Sequence, residues 1–139
     1  MKELKELRVN DQRLLLNDNL VKSAILPRVS SELERDVVIQ GDTTIEGAVY
    51  ARYFQVEKGK LEVQGAVFTQ IELHVNNDAK GSALFHKAVG STDSIVSLAP
   101  SFRAVFQADI NAKQVKLRNA FVAGSIFADE IVLEDCIVI

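Results

Sequence analysis

With 139 residues, 47% of them apolar, and a formal net charge of −3, the chain is sized for one domain that can bury a core. Its faint acidity excludes nucleic acid as an expected partner, because no excess of basic groups is available to neutralise phosphates. A single cysteine, Cys136, excludes an internal disulfide and fits a reducing, cytoplasmic setting, and no apolar run approaches the ~20 residues of a membrane-spanning helix.

Residues 1–36 read as an N-terminal leader, a cap or tether outside the main pattern. Met1-Lys2-Glu3-Leu4-Lys5-Glu6-Leu7-Arg8 is too charged for a secretory signal, and residues 2–8 suit a helical turn or two. The leader's apolar residues, Leu4, Leu7, Leu14, Leu15, Leu16, Leu20, Ile25 and Leu26, follow no single period, and Pro27 ends whatever precedes it. A membrane contact through this leader is left open.

From residue 37 the chain repeats. Ile45-Glu46-Gly47-Ala48-Val49, Val63-Gln64-Gly65-Ala66-Val67, Ala79-Lys80-Gly81-Ser82-Ala83, Phe106-Gln107-Ala108-Asp109-Ile110 and Val122-Ala123-Gly124-Ser125-Ile126 can be laid over one another. The central small residue falls at 47, 65, 81, 108 and 124, giving spacings of 18, 16, 27 and 16. An internal period of that size is the signature of a stacked solenoid. Within each copy apolar residues alternate with polar or small ones, which means strand. A second strand follows in each copy, seen as Val37-x-Ile39, Phe54-x-Val56, Ile71-x-Leu73, Val96-x-Leu98, Val115-x-Leu117 and Ile131-x-Leu133.

A repeat of this length at ~3.3 Å per residue traces a perimeter on the order of 50 Å, which suits one closed coil of a β-solenoid. No Asn-Gly or Asp-Gly pair is present to make a hairpin array. Ile39, Val56, Leu73, Leu98, Leu117 and Leu133 are expected to stack as one inner column, with Gly47, Gly65, Gly81, Ala108 and Gly124 as a second inward one. The 27-residue spacing is expected to hold a loop of about nine residues near residues 86–95 that leaves the coil at a corner. The expected layout is therefore a leader over 1–36 and a β-solenoid domain over 37–139 with that loop inserted.

One outward stripe is predicted to carry Tyr50, Phe68, Leu84, Asn111 and Phe127, beside a smooth strip of Ala48, Ala66, Ser82, Asp109 and Ser125. Apolar surface of that extent marks a contact. Two readings stay open: Tyr50, Phe68, Leu84 and Phe127 form a lateral interface, or the leader folds back over them with Leu14, Leu16, Leu20 and Ile25.

The stretches Phe106 to Leu117 and Val122 to Leu133, with the lead-in Val37-Val38-Ile39-Gln40-Gly41-Asp42-Thr43-Thr44-Ile45-Glu46-Gly47, resemble the repeat of the bactofilins, Val-x-Gly-[Asp/Ser/Ala]-Ile-x-Ala-x-x-[Val/Ile]-x-Leu, across residues 37–139. Bactofilins are polymer-forming bacterial cytoskeletal proteins. The resemblance implies an all-β, right-handed triangular β-helix of about six coils that assembles into filaments without nucleotide. The chain departs from the pattern near residue 90, at Phe106 and Ala108, and in its long leader.

Catalytic chemistry finds no footing. Two histidines, His74 and His86, fall at different points of successive coils and cannot supply the three ligands of a zinc site. Lys58-Gly59-Lys60 lacks the spacing of a phosphate-binding loop, and Asp129-Glu130 and Glu134-Asp135 read as corner charge. The expectation is a non-enzymatic scaffold with no cofactor and no metal, partnered by copies of itself. The alternative is a monomeric or small-oligomer module that binds a protein partner through the stripe or the loop near residue 90. Cys136 is expected to be a buried small apolar residue. The chain closes on Cys136-Ile137-Val138-Ile139, uncharged and of high β propensity, so Ile131, Leu133, Ile137 and Val138 are the expected end-on interface.

Overall fold

The period-two pattern acts as expected: along the 67–75 strand, Val67, Thr69, Leu73 and Val75 are buried while the residues between them reach solvent or half-cover their neighbours. In the computed structural model, which describes residues 1–4, 13–27 and 35–139, the described residues form strands and no helix. Chain order runs β1 (Lys2–Leu4), β2 (Arg13–Leu16), β3 (Asn19–Val21), β4 (Asp36–Ile39), β5 (Thr43–Ile45), β6 (Val49–Val56), β7 (Gly59–Val63), β8 (Val67–Val75) and β9 (Gly81–Phe85). It continues with β10 (Val89–Ser91), β11 (Ser94–Ser97), β12 (Phe102–Phe106), β13 (Ile110–Asn111), β14 (Gln114–Arg118), β15 (Ala120–Val122), β16 (Ile126–Phe127), β17 (Glu130–Glu134) and β18 (Ile137–Val138).

All strand pairings are parallel and join a strand to its equivalents in neighbouring turns, giving a β-solenoid of about six turns. Three ladders run its length. The first is β1-β3-β5-β7-β9-β12-β15-β18. The second joins Ile25 to the first half of β6, the first half of β8, then β10, β13 and β16. The third joins β2, β4, the ends of β6 and β8, β11, β14 and β17. Strands β6 and β8 carry both latter ladders, with an irregularity at Ala51/Tyr53 where the chain turns from one to the next.

Stacking like on like builds the core. Val21, Ile45, Val63, Phe85, Phe106 and Val122 are successive register partners in the first ladder, and all are buried. The Phe85 and Phe106 rings stack at 5.0 Å, with small Ala83 and Ala104 beside them taking up the excess volume. In the third ladder, Leu14, Val37, Phe54, Leu73, Ile95 and Val115 form one inner column, and Leu16, Ile39, Val56, Val75, Ser97 and Leu117 form another.

That register corrects several expectations. Leu73 pairs with Phe54, two residues from its predicted partner, and Val96 and Leu98 are outward and half-buried because Ile95 and Ser97 hold the inner positions. A slip of one residue moves a strand's whole inner set to the other face. Phe85 stacks between Val63 and Phe106 in the first ladder. Residues 86–95 are no loop either: Val89–Ser91 and Ser94–Ser97 are strands held in the ladders on both sides.

The extra length lies at the corner between the third and first ladders. Leu117 reaches Ala120 through two residues, whereas Val75 reaches Ala83 through Asn76-Asn77-Asp78-Ala79-Lys80 and the start of β9. Ala79 and Ala99 turn back from the two longer corners and are buried. The short corners rely on left-handed residues, Asp18 (φ 57), Asn119 (φ 56) and Asp135 (φ 52), the residue types that tolerate that conformation.

Glycine marks two corners instead of one inward column. A Cβ on Gly65 would meet the Gly47 carbonyl and lie 2.5 Å from Ala48 N, so it points at the neighbouring turn and not into the core. Gly81 belongs to the opposite corner, paired with Gly59. The leader is corrected too. Within residues 1–36, β1, β2 and β3 are rungs of the solenoid, and Leu14, Leu16, Val21 and Ile25 are core residues, because their alternation is that of the later turns. The expected helical turns over 2–8 extend beyond the described residues; Lys2–Leu4 is strand.

Candidate assembly surfaces

Outward positions form columns as regular as the inner ones. Leu26 follows Ile25, and Tyr50, Phe68, Gly90, Asn111 and Phe127 occupy successive outward positions of the second ladder. The Tyr50 and Phe68 rings are 6.5 Å apart and tilted, and Phe68 leans over Gly90. The predicted stripe is therefore an upper patch of Leu26, Tyr50 and Phe68, separated from Phe127 by Gly90 and Asn111. Tyr50 and Phe127 are exposed, and Leu14, Leu16 and Ile25, the leader residues proposed to cover them, lie inside the solenoid.

Leu84 is in another column altogether. On the outer side of the first ladder, Leu84 pairs with Val105, Val105 with Phe121 and Phe121 with Ile137, four apolar side chains on four consecutive strands. Toward the first turns the same column becomes Glu62, Thr44 and Leu20. Val105 and Phe121 are functional candidates that sequence reasoning missed. Their signal, an outward apolar residue at spacings of 21, 16 and 16, appears only once register is known.

The two ends of the solenoid differ. Leu14 and Leu16, inner residues of the first described third-ladder strand, are 7% and 0% exposed. At the other end the inner residues Ile131, Leu133 and Val138 are 45%, 42% and 44% exposed, and the β16, β17 and β18 backbones pair on one side only. Ile137 points outward and lengthens the first-ladder column, so it borders this end without being part of its interior. Cys136 is half-buried against the core, its thiol near the Leu117 carbonyl at 3.5 Å.

Polar groups on the surface stitch successive turns. Arg52 donates two hydrogen bonds of 3.0 Å to the Asp36 carboxylate and lies 5.2 Å from the Tyr53 ring. His86 contacts Glu62 at 2.7 Å, and His74 contacts Glu72 at 3.2 Å, while the Ser94 hydroxyl donates to the other Glu72 oxygen. The two histidines sit on different ladders, and among the described residues no group of three potential metal ligands occurs. Glu130 and Glu134 face Lys116 and Arg118 one turn away, at 4.0 and 3.8 Å. Exposed pairs of this kind contribute about 0–1 kcal/mol each. The Thr69 and Ser97 hydroxyls are buried in the interior without a hydrogen-bond partner, sealed from any substrate.

Comparison of the chain with protein-family models, with curated proteins and with solved structures finds no match. Among the described residues, no helix is long and apolar enough to cross a membrane.

Proposed function

We propose that this chain is a non-enzymatic scaffold that self-associates, its last turn accepting the strands of another copy end to end. The observation that carries this reading is the parallel stacking of like turns, because the strand edges and inner columns of one turn, such as those of Ile131, Leu133 and Val138, can be continued by a turn of another copy. Each edge offers backbone donors and acceptors at the ~4.8 Å spacing that a further strand would match. Burying what remains exposed of these three side chains stabilises a contact by about 1 kcal/mol each, before ordering costs. The solenoid fold and the resemblance of residues 37–139 to bactofilin repeats support a filament built without nucleotide. A single half-buried thiol fits a reducing compartment.

The test is electron microscopy and sedimentation of the 139-residue chain with no nucleotide added. Fibres are expected, and Ile131→Lys together with Val138→Lys should reduce them to small discrete species while circular dichroism still reports strand. Lysine at these open positions can reach solvent, so folding survives. Fibres that persist unchanged in the double variant would sink assembly through this turn. A folded parent that stays monomeric would favour the other reading, a module that binds a protein through the Leu26, Tyr50 and Phe68 patch.

A further inference from the structure

The apolar column of the first ladder is bordered by charges of both signs. At the start of these strands Ser82 and Arg103 are register partners, and Asn119 and Asp135 are the left-handed corner residues of the next two turns, stacked through the hydrogen bond from Asn119 N to Glu134 O. Arg103 and Asp135 have no ion-pair partner among the described residues, although Arg52, Lys116 and Arg118 each face a carboxylate. Two turns separate Arg103 from Asp135, about 10 Å at the ~4.8 Å rise of one turn, too far for them to pair with each other.

We infer that the outer side of the first ladder from Leu84 to Ile137 is a contact with a second copy of this chain, packed face to face and antiparallel. Turning one copy over about an axis parallel to the strands reverses the order of turns. Leu84 then meets the second copy's Ile137, and Val105 meets its Phe121. Along the border, Ser82 comes opposite Asp135, and Arg103 lies one turn from Asp135 of the other copy, within the reach of its long side chain. Both charges are satisfied twice, once on each side of the two-fold. The opposite border is compatible: Gln107 falls opposite the small Ala123. This self-complementarity of apolar residues and of charge selects a second copy over a lipid surface, which would call for basic groups alone.

The contact is short. Three steps between Leu84 and Ile137 span ~14 Å, well below the ~800 Å² per partner of a stable interface. One pair of copies is therefore weakly held, and repetition along an assembled solenoid multiplies it. This lateral contact stands independently of the end-on one and uses different residues.

The experiment starts from the end-blocked Ile131→Lys/Val138→Lys protein, studied by sedimentation across a wide concentration range. A concentration-dependent dimer is expected. Arg103→Glu should weaken it by about tenfold, and Arg103→Glu combined with Asp135→Arg should restore it. With Cys136 replaced by Ser, oxidising a mixture of separate Ser82→Cys and Asp135→Cys proteins should give chiefly the mixed cross-link over either like pair. A monomer at every concentration, a dimer indifferent to Arg103→Glu, or cross-links in statistical proportions would overturn the antiparallel contact. Fibres in the parent with a monomeric end-blocked protein would remove the lateral contact alone; dimers without fibres would remove the end-on reading alone.

Discussion

Replacing Gly65 by Ala should destabilise the solenoid far more than one methyl group ordinarily does. The added Cβ would sit against the Gly47 carbonyl carbon and oxygen and 2.5 Å from Ala48 N, where an ordinary contact needs about 3.5 Å. All three atoms are backbone, so nothing can rotate away. Relief requires the two turns to separate by roughly 1 Å at this corner. Flanking it are the hydrogen bonds from Gln64 N to Ile45 O and from Val49 N to Ala66 O, both 2.8 Å. Weakening these two removes about 1 kcal/mol each, and the overpacking itself costs about 1–3 kcal/mol, for a total of about 3–5 kcal/mol. For a domain of this size that is a fall in Tm on the order of 10–15 °C, read by far-UV circular dichroism. Gly90→Ala is the matched control, because its Cβ would meet only Phe68 Cδ2 at 3.6 Å and the Asn111 carbonyl oxygen at 3.7 Å. It should melt within about 2 °C of the parent. If Gly65→Ala also melts that close to the parent, successive turns are not as tightly stacked at this corner as the reasoning requires.

Other expectations follow from single features. Thr69→Val removes a buried hydroxyl without a partner while keeping its shape, and should raise stability by about 1 kcal/mol, measured by chemical denaturation. A loss of stability would mean that Thr69 Oγ1 is in fact satisfied in solution. Both Asn119→Val and Asn119→Gly lose the hydrogen bond that Asn119 Nδ2 donates to the Phe102 carbonyl, but Asn119→Val also places a β-branched residue at φ 56 and should cost about 1–2 kcal/mol more than Asn119→Gly. Equal melting temperatures for the two would show that the short corner is not held in the left-handed conformation.

The fold class was legible in the chain because a β-solenoid repeats one physical requirement: every turn must present apolar residues at alternate positions to the same interior. Pairs such as Phe54/Val56, Val115/Leu117 and Ile131/Leu133 announce it locally, with no knowledge of which residue lies above which. The inner positions of Ile131, Leu133 and Val138 follow from the same alternation, since they continue the columns of Val115, Leu117 and Val122. Residues 13–25 carry that same alternation in Leu14/Leu16 and Val21, yet too few residues of each strand show it for the rungs to stand out from a leader.

Register was decided by the tertiary structure alone, because the corners between strands are free to vary in length while the hydrogen-bonded ladders are not. Two longer corners before β9 and β12 moved Gly81 from one glycine corner to the other in any alignment by spacing. Polar Ser97 at an inner position let Val96 and Leu98 pass for the inward pair, and one residue of slip exchanged the faces. Outer columns suffer most from such errors, since nothing in their composition corrects them. Leu84 was therefore joined to Tyr50 and Phe68, and its true neighbours Val105 and Phe121 went unseen, until parallel pairing set each turn against the next.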